Sequence, residues 1–197
     1  MTAFIIFAYL IGSIPTGYII VKLKTGQDIR TVGSGSTGAT NVKRVLGKKW
    51  FFIVMILDAI KGALPVVVAK LLNVYLHDNL GIYAVISAIF VIIGHSKPIF
   101  LQFKGGKSVA SGVGTILALN PLAGLCVAII WSIITYASKY VSLGSIIAVS
   151  AAPFIMYFLD NPVFYTLYCA IAAVYIIWLH RSNIVRLIKG EENKVRK

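Results

Sequence analysis

"WFFIVMILDAIKGALPVVVAKLL" occupies residues 50–72 and decides the class of fold. A helix that crosses the hydrocarbon core of a bilayer needs about 20 mostly apolar residues. This stretch meets that length with three charged exceptions, Asp58, Lys61 and Lys70. The stretch therefore predicts a transmembrane helix.

The composition of the whole chain supports a membrane protein. Hydrophobic residues make up 58% of the sequence and charged residues 13%, whereas a soluble domain carries about 25% charged residues. The net charge of +13 is compatible with nucleic-acid binding. The cations, however, cluster in short segments between apolar runs, which favours membrane topology and excludes a nucleic-acid partner. Cys126 and Cys169 lie inside apolar runs without C-x-x-C spacing, so neither a metal nor a redox site is expected.

Six more apolar segments complete the pattern, at residues 3–21, 79–94, 108–118, 122–137, 141–159 and 162–179. The first lacks a basic leader and a cleavage site, so it is expected to be retained as a span. The sequence Asn120–Pro121 divides a run too long for one simple span. We therefore predict an all-α integral membrane protein with about seven transmembrane helices, some of them short, in a single domain over residues 1–197.

The distribution of Lys and Arg orients these spans. Every cation except Lys61 and Lys70 falls in one set of alternating loops, residues 22–49, 95–107, 138–140 and 180–197. The positive-inside rule places this set in the cytoplasm. The N-terminus is then expected outside and the C-terminus inside the cell.

The first cytoplasmic loop contains "GSGSTGATNVKRVLGKK", residues 33–49. Its G-x-G-x-x-G pattern is rejected as a dinucleotide fingerprint because no strand precedes it. Glycines still allow backbone amides to converge on an anion, and hydroxyl, amide and guanidinium side chains add donors. The candidates for phosphate binding here are Ser34, Gly35, Gly38, Thr40, Asn41 and Arg44. A flexible basic linker is the alternative.

The second loop, "GHSKPIFLQFKGGKSVASG" (94–112), leads into an apolar helix. Its Gly-Lys-Ser end resembles a Walker A motif, but Leu101 stands where the first glycine belongs, so an ATPase is excluded. Two lysines and two glycines remain as anion-binding candidates: Lys104, Gly105, Gly106 and Lys107. His95 is either a general base or an interfacial hydrogen-bonding residue.

Two further polar segments begin or follow spans. "SKYVSLGS" (138–145) contains Ser142, either a site residue or a helix cap. "HRSNIVRLIKGEENKVRK" (180–197) contains His180, Asn183 and Glu192, and by itself is also typical of a basic tail lying on anionic lipid. Within the membrane, Asp58 and Lys61 stand at i and i+3, and structural pairing is their favoured role.

Five segments in order resemble the signature segments of the bacterial acyl-phosphate:glycerol-3-phosphate acyltransferase family: GSIPTGY (12–18), GSGSTGATNVKRVLGKK (33–49), GHSKPIFLQFKGGK (94–107), SKYVSLGS (138–145) and HRSNIVRLIKGEEN (180–193). The resemblance covers nearly the whole chain. One departure is that Ser36 and Thr37 replace the Asn and Pro usual in the family.

The resemblance implies an enzyme of phospholipid synthesis in the bacterial inner membrane. It implies transfer of an acyl group from acyl-phosphate to the sn-1 hydroxyl of glycerol 3-phosphate, without metal or other cofactor. Ser34, His95 and His180 are the catalytic candidates, and the other residues named above, together with Ser142, Asn183 and Glu192, are the binding candidates. The proton acceptor is either a histidine or the donor's own phosphate, and direct transfer is favoured over an acyl-enzyme on Ser34 or Ser142. Membrane lipids are the expected partners; the sequence does not determine the oligomeric state.

Two other functions are compatible with parts of the sequence. A transporter would show polar breaks in several spans and symmetry between halves, and the sequence shows neither clearly. A scaffold binding anionic lipid explains the basic tail but not the glycines and serines of the first two loops.

Overall fold

The computed structural model describes residues 1–72, 75, 77–78 and 80–195. Helix is the only extended regular structure in these ranges, which confirms the all-α prediction. The chain divides into two compact units, Met1–Thr115 and Ile116–Lys197. The prediction of a single domain over 1–197 stays a prediction.

The described part of the first unit contains five helices and the start of a sixth: α1 Thr2–Ser13, α2 Thr16–Thr25, α3 Ala39–Leu46, α4 Lys48–Leu71, α5 Ile82–Ser96 and α6 Val109–Leu119. Two short 3₁₀ turns, Ile29–Thr31 and Ile99–Leu101, lie in its polar loops. The second unit contains the end of α6 and the helices α7 Pro121–Ser138, α8 Val141–Phe158, α9 Val163–Leu179 and α10 Arg181–Ile188.

The predicted spans coincide with apolar helices. Within the described ranges, five segments are long and apolar enough to cross a membrane: Thr2–Thr25, Lys48–Leu71, Ile82–Leu101, Pro121–Ser138 and Val141–Phe158. The pair α9 and α10 passes the same test as a unit bent by 61°, and α6 is a shorter apolar helix. The predicted number of seven spans and the orientation stay predictions. Part of the predicted loop 73–78 and the start of the predicted span 79–94 lie outside the described residues.

The first predicted span is a broken helix. α1 ends at Ser13 and α2 begins at Thr16. Pro15 has no N–H to donate, and it keeps the preceding residue out of the helical region. Ile14 accordingly adopts φ −58° and ψ 112°. The break leaves the carbonyl of Ile14 outside the regular helical bonding.

Glycines allow the helices of the first unit to approach closely. A Cβ at Gly12 would overlap the backbone of Val91, so α1 and α5 lie almost in backbone contact. A Cβ at Gly62 of α4 would likewise lie 2.8 Å from the Cα of Ser111 in α6. Small residues at such crossings are characteristic of helix packing in membranes, where van der Waals contact replaces hydrophobic driving force.

Candidate active site

The first loop is organised by one buried side chain. Asn41, at the start of α3, is 1% exposed. Its Nδ2 lies 3.2 Å from the carbonyl of Ile29 and 2.9 Å from those of Val32 and Ser36. Its Oδ1 accepts a 3.1 Å hydrogen bond from the N–H of Ser34. The loop is therefore an ordered turn around an amide, and the flexible-linker alternative does not describe it.

Two glycines of this loop adopt the left-handed conformation, Gly33 at φ 60° and Gly35 at φ 69°. A Cβ at Gly33 would overlap Oδ1 of Asn41 and lie 3.3 Å from Cδ of Arg44. Glycine is thus needed at position 33 both for its backbone angle and for the space.

The site residues predicted in this loop differ in how deeply they are buried. Ser34, Gly35 and Arg44 are exposed, while Gly38 and Thr40 are half-buried. Asn41 lies beneath the loop and binds its backbone, so the geometry gives it a supporting position. Its contact with phosphate stays a prediction. The hydroxyl of Ser36 accepts a 3.3 Å hydrogen bond from the N–H of Gly38. Position 36, where the sequence departs from the family pattern, therefore has a local structural role.

The first loop is joined to the second through Arg30, a residue that the sequence marked only as a cation. Its Nη1 donates to the carbonyl of Leu101 at 3.3 Å, and its guanidinium pairs with Asp28 at 2.6 Å. The hydrogen bond from Arg30 holds the pKa of Asp28 below its usual range. The spacing of Asp28 and Arg30 next to a Gly-rich loop was the sequence signal that could have indicated this structural role of Arg30.

The second loop uses its two predicted glycines for its own structure. The N–H of Gly105 donates to the carbonyl of Ser96 at 3.2 Å, and that of Gly106 donates to the carbonyl of His95 at 3.1 Å. These amides are therefore engaged within the protein, and the binding of phosphate by Gly105 and Gly106 stays a prediction. Lys104 is exposed and Lys107 is half-buried.

Three non-glycine residues around this loop have left-handed backbone angles: Gln102 at φ 54°, Phe103 at φ 61° and Ser108 at φ 59°. Such angles are uncommon outside glycine and concentrate at functional sites. Ser108 also donates its hydroxyl hydrogen to the carbonyl of Ile92 at 2.7 Å, which attaches the end of the loop to α5.

His95 lies under the second loop, 7% exposed. Its Nδ1 is 3.2 Å from Oγ of Ser111 and 3.7 Å from Oδ1 of Asp58. A Cβ at Gly106 would overlap Nε2 of the ring. One edge of the imidazole thus faces α4 and α6, and the other faces the Gly-Gly segment.

The charged pair within α4 is confirmed. Nζ of Lys61 lies 2.8 Å from Oδ1 of Asp58. Lys61 also donates to the carbonyl of Ile14 at 2.7 Å, and Asp58 accepts a hydrogen bond from the hydroxyl of Thr16. The pair therefore binds the main chain at the break between α1 and α2, where Pro15 interrupts the helical bonding.

The predicted residues of the second unit meet at Glu192. Its carboxylate accepts hydrogen bonds from Ser142 at 2.9 Å, from Asn183 at 2.7 Å and from Nε of Arg186 at 2.7 Å. Burial raises the pKa of Glu192, but the three hydrogen bonds together lower it by more than burial raises it. The pKa of Glu192 therefore lies below its ordinary value. Arg186 was not among the predicted site residues. Its position six residues before Glu192 in a basic tail was a sequence signal for this ion pair.

Two alternatives for this unit are resolved by these contacts. Ser142 does not cap α8, whose preceding residue Tyr140 makes no side-chain cap bond either. The segment after α10 turns back on α8: besides the bond from Ser142 to Glu192, the N–H of Val195 donates to the carbonyl of Lys139 at 2.7 Å. The tail is therefore a folded part of the unit.

His180 stands at the junction of α9 and α10 and is 4% exposed. Its Nδ1 lies 2.8 Å from the carbonyl oxygen of Ile176. Because a carbonyl oxygen only accepts, neutral His180 carries its proton on Nδ1. The predicted catalytic and binding residues thus fall into two groups, one in each unit.

Comparison with known proteins adds an independent line of evidence. A family model described as glycerol-3-phosphate acyltransferase matches residues 2–190. A glycerol-3-phosphate acyltransferase of Desulforamulus reducens is 46% identical over 97% of this chain and 93% of its own length. Another from Syntrophotalea carbinolica is 44% identical over 98% of both chains.

Solved structures match the whole fold. The crystal structure of PlsY (YgiH), an integral membrane glycerol 3-phosphate acyltransferase, in its glycerol 3-phosphate form has a TM-score of 0.91 and 38% identity, over 99% of this chain and 95% of that one. The lysophosphatidic acid form matches with a TM-score of 0.88 and 36% identity over the same shares. Together with the apolar helices, these matches confirm the integral membrane class.

Proposed function

The chain belongs to the glycerol-3-phosphate acyltransferase family, and we propose that it transfers a fatty acyl group from acyl-phosphate to the sn-1 hydroxyl of glycerol 3-phosphate. The products are lysophosphatidic acid and inorganic phosphate. The observation that carries the proposal is the match over 99% of the chain to an acyltransferase solved in glycerol 3-phosphate and lysophosphatidic acid forms. The reaction belongs to phospholipid synthesis in the bacterial inner membrane.

The polar loops supply what the two phosphate-bearing substrates require. Ser34, Arg44 and Lys104 are exposed on ordered segments, and Lys107 follows them at the start of α6. Arg binds phosphate through paired donors, and Lys binds it as a point charge. We assign the phosphates to these side chains. Asn41, Gly105 and Gly106 support the loops from within. The positive-inside rule places this face in the cytoplasm.

An acyl-phosphate is an activated mixed anhydride, so the protein needs mainly to position the reactants. Alignment of reacting groups lowers a barrier by about 7–11 kcal/mol. The sn-1 oxygen forms a bond to the acyl carbonyl carbon, and the bond from that carbon to the phosphate oxygen breaks. Cationic side chains stabilise the charge on the departing phosphate.

We assign the hydroxyl proton to an oxygen of the departing phosphate. The imidazole of His95 has its Nε2 against Gly106, and His180 uses Nδ1 on a main-chain carbonyl. Both rings are almost completely buried. Their contacts favour structural roles, whereas the donor carries an acceptor oxygen next to the reacting carbon.

The test is an assay with the purified full-length protein in detergent. Acyl-phosphate with glycerol 3-phosphate is expected to give phosphate and lysophosphatidic acid in equal amounts, and acyl-CoA is expected to give no product. Arg44→Gln is expected to weaken the reaction. Arg181→Gln serves as the control, because Arg181 stacks on Trp178 and donates to the carbonyl of the same residue at 3.1 Å. Phosphate release that does not depend on the acceptor would contradict the proposal, as would a preference for acyl-CoA.

A further inference from the structure

Asp58 is a buried carboxylate, 2% exposed, in the middle of the transmembrane helix α4. A charge at such a depth is costly unless it is paired, and residues of this kind usually have a function. Lys61 neutralises Asp58 at 2.8 Å, and the hydroxyl of Thr16 binds the same carboxylate oxygen. These two contacts already satisfy the structural requirement for a neutral pair.

The same carboxylate also lies beside the imidazole of His95. Oδ1 of Asp58 lies 3.7 Å from Nδ1 of His95, and Oγ of Ser111 lies 3.2 Å from that nitrogen. Contacts from α4 and α6 on one edge of the imidazole restrict rotation of the ring. The opposite edge of the imidazole, which carries Nε2, is thereby directed at Gly106 in the second loop.

That opposite edge occupies the space where a side chain at position 106 would lie. A Cβ at Gly106 would overlap Nε2 and lie 2.9 Å from Cδ2 and 3.0 Å from Cε1. The main chain of the same helix end holds the loop as well, since the carbonyls of His95 and Ser96 accept from Gly106 and Gly105. The ring and the backbone of residue 95 therefore support the Gly-Gly segment together.

We propose that Asp58 is a positioning residue, which acts through the ring of His95 to hold residues 104–107 in the conformation that binds the phosphate of glycerol 3-phosphate. The proposal rests on the proposed function for the identity of the ligand. Asp58 itself touches no substrate. Loss of Asp58 should weaken binding of the acceptor without removing the chemistry.

The decisive experiment is a double-mutant cycle on the full-length protein. Asp58→Asn alone is expected to raise the KM for glycerol 3-phosphate about tenfold, the lower end of the loss seen when an orienting partner is removed from a metal ligand. The value of kcat should change much less. In a His95→Ala background, Asp58→Asn should produce no further rise, because two residues that act as one unit are not additive. Equal rises in both backgrounds would overturn the proposal.

Hydrogen–deuterium exchange tests the same idea without catalysis. The amides of residues 104–107 should exchange faster in Asp58→Asn than in the parent protein. Ser87→Ala is the matched control, since its buried hydroxyl on α5 has no hydrogen-bond partner among the residues that the structure describes. It should change neither the exchange nor the KM. Unchanged exchange in Asp58→Asn would also overturn the proposal.

A second variant separates positioning from the cost of an unpaired charge. Asp58→Asn leaves the ammonium of Lys61 buried without its counterion, which can itself destabilise the fold. Asp58→Asn/Lys61→Met removes both charges, and the same faster exchange at 104–107 is expected. If the unmodified protein fails to transfer acyl groups, the proposed function fails, yet the exchange data still decide whether Asp58 positions the loop.

Discussion

Oγ of Ser142 donates a 2.9 Å hydrogen bond to Oε1 of Glu192, across 50 residues of sequence. This bond joins the first turn of α8 to the segment that follows α10. Asn183 and Arg186 bind the same carboxylate, whose side chain is 6% exposed. A single acidic residue thus holds the polar end of the second unit together.

Glu192→Ala should therefore destabilise the protein strongly. Each hydrogen bond to a charged group contributes about 1.5–3 kcal/mol, and the variant leaves three donors without this acceptor. The measurement is thermal unfolding in detergent. Glu191→Ala is the matched control, because Glu191 is exposed and its described contact is a main-chain bond to Arg186. Equal destabilisation by both variants would show that Glu192 has no special role.

The lowered pKa of Glu192 predicts a dependence of stability on pH. A carboxyl group whose folded pKa lies below the unfolded value of about 4.3 stabilises the fold fully above that pH. The contribution is lost as the pH falls through the folded pKa. The difference in melting temperature between the unmodified protein and Glu192→Gln should thus shrink as the pH is lowered below 4.3. A difference that stays constant would contradict the prediction.

Gly33→Ala should disrupt the first loop. The added Cβ would meet Oδ1 of Asn41, and the left-handed angle strains any L side chain. Gly26→Ala controls for the strain alone, since Gly26 has φ 71° but open space around its Cβ position. We expect a larger KM for glycerol 3-phosphate only in Gly33→Ala. Parallel losses in both variants would attribute the effect to the backbone angle.

Single replacement of His95 or His180 tests the assignment of the proton. Loss of a side-chain base costs about 10²–10⁴ in rate. If the donor phosphate accepts the proton, His95→Ala and His180→Ala should act mainly on KM, with losses in kcat below that range. His77→Ala is the control, because His77 is exposed in the segment between α4 and α5. A loss of kcat within that range for either variant would identify a histidine base.

The helices were predictable because their signal is local. The apolar run 50–72 corresponds to α4 at Lys48–Leu71, since backbone groups in hydrocarbon must be satisfied within the segment itself. The pairing of Asp58 with Lys61 was predictable for the same reason, as i and i+3 positions face each other on any helix. Pro15 was a visible signal for the break between α1 and α2, although the prediction treated residues 3–21 as one span.

The candidate residues were predictable by type, but their roles were not. Asn41 and Ser34 are equally suitable phosphate ligands by composition, yet one is buried as the centre of the loop and the other is exposed. Glu192 was predicted as a binding residue, and the prediction did not name its partners within the protein. Its hydrogen bonds with Ser142, Asn183 and Arg186 depend on the tail folding back on α8, which the sequence does not specify.

The sequence by itself determined the all-helical membrane class, the polar loops and the family, because apolar length, glycine placement and ordered motifs are properties of neighbouring residues. The tertiary structure alone decided which donors support the loops and which face outwards. It also brought Asp58 to His95 and Gly106 to the edge of the same ring. The contact between Asp58 and His95 joins two different helices, and the contact between His95 and Gly106 joins a helix end to a loop. No local pattern of residues encodes these distances.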